Sequence, residues 1–235
     1  MANIAFISPK GGAGKTTAAL ALALGLAGRG QKVALIDSDP NKPLVQWGAL
    51  PGRPAAITVH AAPTIQDIRD AVREARRHEP EWVIVDTEGS VRGAMVFAAL
   101  RFDLVITPLT ASQLDAAEAI KAGQMVDSFG KRAGNRLLHR CLMTRVPAAI
   151  RPRSLKTVVE QLRGAGIEIL PAALIEKEAF RLFFALGGGF ETLEADGVTG
   201  LAAARQNTDA FVDAVIATLD DAKAAAPRET ATAGR

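Results

Sequence analysis

Lys10-Gly11-Gly12-Ala13-Gly14-Lys15-Thr16-Thr17 decides the fold of this chain. It lies between an apolar run, Ile4-Ala5-Phe6-Ile7, and an alanine- and leucine-rich stretch from Thr16 to Gly28. A glycine-rich turn joining a strand to a helix aims several backbone N–H groups at one point, and the helix start adds its positive dipole end. Phosphate oxygens fit such a cradle. In this pattern the lysine reaches the β- and γ-phosphates and the following threonine hydroxyl coordinates Mg²⁺. Gly11, Gly12, Ala13, Gly14, Lys15, Thr16 and Thr17 are therefore the expected nucleotide-binding residues.

Outward from the loop, short apolar runs alternate with longer amphipathic ones. Strands are expected over 4–7, 33–36, 82–85, 104–107, 138–143 and 168–170, with a weak one at 58–60. Helices are expected over 16–28, 65–77, 115–129, 155–163 and 207–223, with Thr64-x-x-Asp67 as a capping signal at the start of the second. The strands read as continuous β-branched or leucine runs, as strands covered on both faces do. This order predicts an α/β fold, a doubly wound and mostly parallel sheet with helices on both faces. One domain over 1–221 and a disordered tail over 222–235, rich in Ala, Thr and Pro, complete the expected organisation.

Composition excludes several classes. At 49% hydrophobic and 23% charged residues over 235, the chain is globular in character. The single cysteine, Cys141, rules out an internal disulfide or a thiolate cluster built within one chain, and suits a reducing cytoplasm. His60, His78 and His139 have no ligand-like spacing. The opening apolar run, Ile4-Ala5-Phe6-Ile7, is far too short for a signal peptide or membrane span, so a cytoplasmic protein is expected. The net charge is +3, but eleven basic side chains outnumber four acidic ones between Ser128 and Arg181. That is the pattern of a polyanion-binding face or of a solvated arginine-rich surface.

Pro9 stands where the usual G-x-x-x-x-G-K-[ST] loop has its first glycine, and Lys10 adds a second lysine. In this the chain resembles the ParA/MinD family of P-loop ATPases, whose deviant Walker A loop reads K-G-G-x-G-K-T. Ala34-Leu35-Ile36-Asp37-Ser38-Asp39-Pro40 is similar to the family's D-x-D-P switch I, with Trp47 downstream as in small partition ATPases. Val83-Ile84-Val85-Asp86-Thr87 resembles its Walker B and switch II segment. The resemblance covers about residues 3 to 220. Glu88-Gly89-Ser90 departs from the proline-bearing switch II of many members; partition and T-DNA-transfer ATPases share a glycine-serine variant there.

The resemblance implies ATP and Mg²⁺ as cofactors, with Thr16, Asp39 and Asp86 around the metal and Asp39 positioning the attacking water. Asp37 would support the loop and metal shell, and Gly89 would offer an N–H to the γ-phosphate. Arg145 and Pro171 would lie in loops that hold adenine, where Arg145 could stack on the purine or be one more surface arginine. Lys10 would cross a two-fold interface to the partner subunit's γ-phosphate, in an ATP-sandwiched homodimer. Lys10, Lys15 and Asp39 are then the catalytic set.

Residue counts narrow the family. A nitrogenase iron protein needs two cluster cysteines per chain, and the bacterial tyrosine kinases of this fold need tyrosines, of which the chain has none. The stripe Phe211, Val212, Val215, Ile216 and Leu219 on the last helix reads as core, so no membrane contact is expected. Arg151, Arg153, Lys156 and Arg163 are candidates for nonspecific duplex DNA contact, with a plain solvated helix as the alternative. The expectation is a small ParA-type ATPase for DNA segregation, nucleoid-associated when ATP-bound and stimulated by a centromere-binding partner. The same switch on another cargo, a T-DNA relaxosome or a protein cluster, and a MinD-like membrane-associated division regulator are the alternatives.

Overall fold

Seven strands form one all-parallel sheet in the computed structural model, which describes residues 1–87, 101–132, 137–146 and 153–225. The strands are β1 (Ala2–Phe6), β2 (Val33–Asp37), β3 (Ile57–Ala61), β4 (Trp82–Asp86), β5 (Leu104–Leu109), β6 (His139–Val146) and β7 (Ile169–Ile175), in the order β3-β2-β4-β1-β5-β6-β7. The helices are α1 (Lys15–Gly28), α2 (Pro43–Ala49), α3 (Ile65–Ala75), α4 (Gln113–Arg132), α5 (Arg153–Gly164), α6 (Glu178–Leu186), α7 (Phe190–Ala195) and α8 (Leu201–Ala225).

Side chains alternate across each central strand. Ile4, Phe6, Val33, Leu35, Trp82 and Ile84 join a core with α1, α2 and α6–α8. Their neighbours Ala5, Ile7, Ala34, Ile36, Val83 and Val85 join a second core under α3 and α4. Both faces are thus covered, which explains the lack of polar alternation in the strands. Helix α1 runs between sheet and α8, and Ala18 through Leu26 are buried. At Gly25 an added Cβ would come within 2.6 Å of Val212 Cγ2 and 2.8 Å of Thr208 Cγ2, so only glycine permits this crossing. The stripe of α8 faces the core, with Phe211, Val212, Val215 and Leu219 buried. Among the described residues, no helix is long and apolar enough to cross a membrane.

The expected elements are all present, with changed ends. The weak strand is a full one, β3; β7 continues to Ile175; α8 begins at Leu201 and carries Ala222–Ala225, so the expected tail begins inside a helix. The remainder of that tail, 226–235, lies outside the described residues. Three helices, α2, α6 and α7, have no counterpart among the expected elements. They are short, and Gly187-Gly188-Gly189 between α6 and α7 reads locally as a loop. Gly187 has a packing reason: a Cβ there would sit 2.5 Å from Leu50 Cβ and 2.8 Å from the Pro51 carbonyl oxygen. Trp47, buried on α2, donates its Nε1–H to the Gly188 carbonyl at 3.0 Å.

Candidate functional site

The carboxyl ends of β1, β2, β4, β5 and β6 meet at one edge of the sheet, around the loop from Lys10 to Thr17. This is the edge where open α/β sheets bind ligands. Gly12 and Gly14 have φ of +80° and +89°, a left-handed backbone that L side chains resist. Gly14 is the N-cap of α1, and Ala18 N–H donates back to its carbonyl at 2.9 Å. The preceding N–H groups of the helix have no intrahelical acceptor and are free for a ligand. Thr144 Oγ1, from β6, hydrogen-bonds the Ala13 carbonyl oxygen at 2.8 Å and the Leu109 carbonyl oxygen at 3.1 Å, tying the loop to β5 and β6. Lys15 is 8% exposed, a buried ammonium at the base of the loop.

Asp86 ends β4, fully buried. Its Oδ2 accepts from Thr16 Oγ1 at 2.6 Å, while its Oδ1 is buried without a hydrogen-bond partner. Burial pushes its carboxyl up to about 7, against the Thr16 hydrogen bond and the Lys15 charge, which pull it down; Asp37 and Asp39 raise it further. An orphaned carboxylate oxygen beside a threonine hydroxyl is a costly arrangement by itself. It fits a hydrated divalent cation held between phosphates and protein oxygens, so the donor set suits Mg²⁺.

Asp37 is expected to support the loop and the metal shell, and among the described residues it makes three contacts with the loop side. Its Oδ2 accepts from the N–H groups of Leu44 at 2.8 Å and Val45 at 3.0 Å, and its Oδ1 from Asp39 N–H at 3.1 Å. It caps α2 and shapes the switch I turn, with its oxygens committed to the backbone. Burial raises its carboxyl and these three bonds lower it, leaving a net rise. Asp39 is half-buried, with Oδ1 accepting from Asn41 N–H at 2.8 Å.

A cleft of about 410 Å³ opens beside Gly14 and Thr17, lined by Thr144, Arg145, Glu176, Lys177, Phe180 and Phe184 among others. Thr144 and Arg145 were expected in a loop; both lie within β6, and Arg145 has a left-handed φ of +52°. Pro171 was also expected in a loop beside the base. It sits inside β7, exposed and outside the cleft lining, at an interruption of the β6–β7 register. A proline, having no N–H to donate, is tolerated on such an edge strand. Phe180 and Phe184 carry no sequence expectation because α6 itself carries none. Asn207 braces this rim, accepting from Ile175 N–H at 2.9 Å and donating to the Ala173 carbonyl at 2.7 Å.

Lys10 is 53% exposed, and its Nζ lies 2.7 Å from Oδ1 of Asp115 in the same chain. Asp115 carries no site expectation either; its only local signal is a carboxylate in the first turn of α4. Lys156 and Arg163 are exposed on α5, seven residues apart, and Lys156 pairs loosely with Glu160 at 3.8 Å. Gly89 and Arg151 lie outside the described residues, and so does the side chain of Arg153.

Comparison with known proteins agrees with this geometry. A family model described as "VirC1 protein" matches residues 1–216. Protein ParA of Rhizobium radiobacter is 30% identical over 224 residues, covering 94% of this chain and 99% of the relative. Protein virC1 of the same organism is 28% identical, covering 77% of this chain and 79% of its own. Among solved structures, apo McdA of Cyanothece superposes with TM-score 0.69 at 16% identity, over 92% of this chain and 99% of that one. MinD of Aquifex aeolicus gives 0.65 at 17%, over 92% and 98%. With the fold, the glycine loop and this matched length in agreement, the chain belongs to the VirC1 family, within the ParA/MinD class of P-loop ATPases.

Proposed function

We propose that this chain is a ParA-type ATPase that hydrolyses ATP to ADP and phosphate and uses the nucleotide to switch between a single chain and a homodimer. The observation that carries the reading is the Lys15–Thr16–Asp86 constellation, a buried cation and a half-satisfied buried carboxylate beneath left-handed glycines. In it, the loop N–H groups and Lys15 hold the β- and γ-phosphates. The cleft beside Gly14 takes the base between Phe180, Phe184 and the Arg145 guanidinium.

Thr16 and Asp86 would hold Mg²⁺, Asp86 through water; the metal supplies neutralisation of phosphate charge. Asp39, on the adjacent switch I turn, orients a water whose oxygen bonds to the γ-phosphorus as the bond to the β–γ bridging oxygen breaks. Asp37 holds that turn in place through the backbone.

Lys10 is assigned to the partner subunit's γ-phosphate, which makes nucleotide part of the dimer interface. A ligand that binds the dimer better than the single chain shifts the equilibrium toward it. Nonspecific duplex DNA is the proposed track of the ATP-bound dimer, with Arg151, Arg153, Lys156 and Arg163 as its candidate contacts. A centromere-binding or adaptor protein is the proposed stimulator, and a plasmid or chromosome region the proposed cargo. The match to protein ParA over nearly its whole length supports the ParA-type reading. The virC1 relatives, and a "Maintenance of carboxysome distribution protein A" of Halothiobacillus neapolitanus at 26% identity, support the second reading: the same switch moving a T-DNA complex or a protein cluster. A MinD-like membrane role has less support, since the apolar stripe of α8 is buried in the core.

Calorimetry with ATP and Mg²⁺ tests the core of this reading. Lys15→Ala should remain folded and lose nucleotide binding; undiminished affinity would refute it. Co-sedimentation with duplex DNA in rising salt tests the track, and binding that ignores salt would count against phosphate contact.

A further inference from the structure

Lys10 and Lys15 belong to one loop but live in different surroundings. Lys15 is buried under the glycines, whereas Lys10 extends along the surface to Asp115 at the start of α4. The first arm of the loop is set for this contact, because Ser8 Oγ accepts from Lys10 N–H at 3.3 Å and donates to the Lys10 carbonyl at 3.1 Å.

Asp115 is only 4% exposed. Its Oδ2 is taken by Thr110, through the N–H at 3.1 Å and the hydroxyl at 2.5 Å. Its Oδ1 has Lys10 Nζ at 2.7 Å. Burial alone would push this carboxyl up, but Lys10 and the Thr110 bonds outweigh it and hold it below the usual carboxylate range. The ammonium can leave into water at little cost, but the buried oxygen it leaves behind loses its cation. Leu114, the residue before Asp115, is an apolar side chain 75% exposed beside this ion pair.

We propose that Asp115 is a latch that keeps Lys10 within its own chain, so that nucleotide-driven pairing of two copies must first break this ion pair in each. The latch presupposes the cross-subunit role given to Lys10 above. It sets a threshold against pairing. An ion pair open to solvent on one side holds its cation by about two- to fivefold. Two latches open per dimer, so the dimerisation constant feels the square, about four- to twenty-fivefold.

Sedimentation velocity with Mg²⁺ and a non-hydrolysable ATP analogue, over a range of protein concentration, tests the proposal on four chains: wild type, Asp115→Asn, Lys10→Ala and the double variant. Asp115→Asn keeps an acceptor for Thr110 and should tighten the dimer by about four- to twenty-fivefold, while Lys10→Ala and the double variant stay single. A dimer of Asp115→Asn equal to or weaker than wild type, with Lys10→Ala still single, overturns the latch and leaves the cross-subunit role standing. A wild type that binds the analogue and stays single, or a Lys10→Ala chain that pairs like wild type, sinks that role and the latch with it. Thermal melting without nucleotide checks each fold. Should Asp115→Asn fail to fold, Asp115→Ser removes the charge and carries the same comparison.

Discussion

Asp37 and Asp86 stand side by side at the ends of β2 and β4, paired in register, both carboxylates and both buried. Their surroundings differ. Asp37 receives three backbone N–H groups from switch I and the start of α2. Asp86 receives one hydroxyl and keeps a bare oxygen. One carboxylate is therefore part of the scaffold, and the other keeps an oxygen without a partner among the described residues, at a cost to the fold. Residue type, burial and strand position are shared, so only the partners distinguish the two roles.

The sharpest way to break this comparison is Asp86→Asn. Phosphate release should fall by about 10²–10³, while the midpoint of thermal unfolding holds or rises, because a poorly solvated charge is removed. A lowered midpoint would make Asp86 a structural residue like its neighbour. Asp37→Ala should do the opposite: about 2–3 kcal/mol of stability lost, read by urea unfolding, as three N–H groups lose their acceptor. Unchanged stability would undo its assignment as the cap of α2.

Asp39→Ala sharpens the comparison from the more open side of the same turn. Turnover should drop by about 10²-fold, with stability within about 0.5 kcal/mol of wild type. A smaller effect comes from β6, where the His139 ring lies within 2.9 Å of Thr107 Oγ1. Burial pulls it down to about 4, against a raising contribution from Asp127, so the native state takes up its proton at lower pH than the unfolded chain does. The stability this provides is present above pH 6.5 and is lost as pH falls from there toward 4, about 1 kcal/mol between pH 6.5 and 5.5. His139→Gln should flatten that slope in urea unfolding at the two pH values, without touching the difference between Asp37 and Asp86. An unchanged slope would assign the pH dependence to another group.

Much of the fold was legible because its signals are local. Continuous apolar runs mark strands covered on both sides, and Thr64 and Asp67 form the capping box that their spacing predicts. The short helices α2, α6 and α7 left no such mark. Their apolar residues make sense only against α1, α8 and one another, as the T-shaped contact of Phe183 and Phe190 at 5.0 Å illustrates. The phosphate loop was legible for the same local reason, since adjacent residues supply the whole cradle. The cleft beside Gly14 was legible only in part: the sequence offered Arg145, whereas Phe180 and Phe184 come from another element, α6, and meet it only when the sheet is built.

By itself, the order of residues settled the parallel α/β layering and the glycine loop with its lysine, because both follow from periodicity and from backbone freedom within a few adjacent positions. Tertiary structure alone decided that Asp37 serves the backbone while Asp86 keeps an open oxygen, and that Lys10 rests on Asp115, 105 residues away. A carboxylate's task is set by the donors that reach it, and those arrive from segments far apart along the chain.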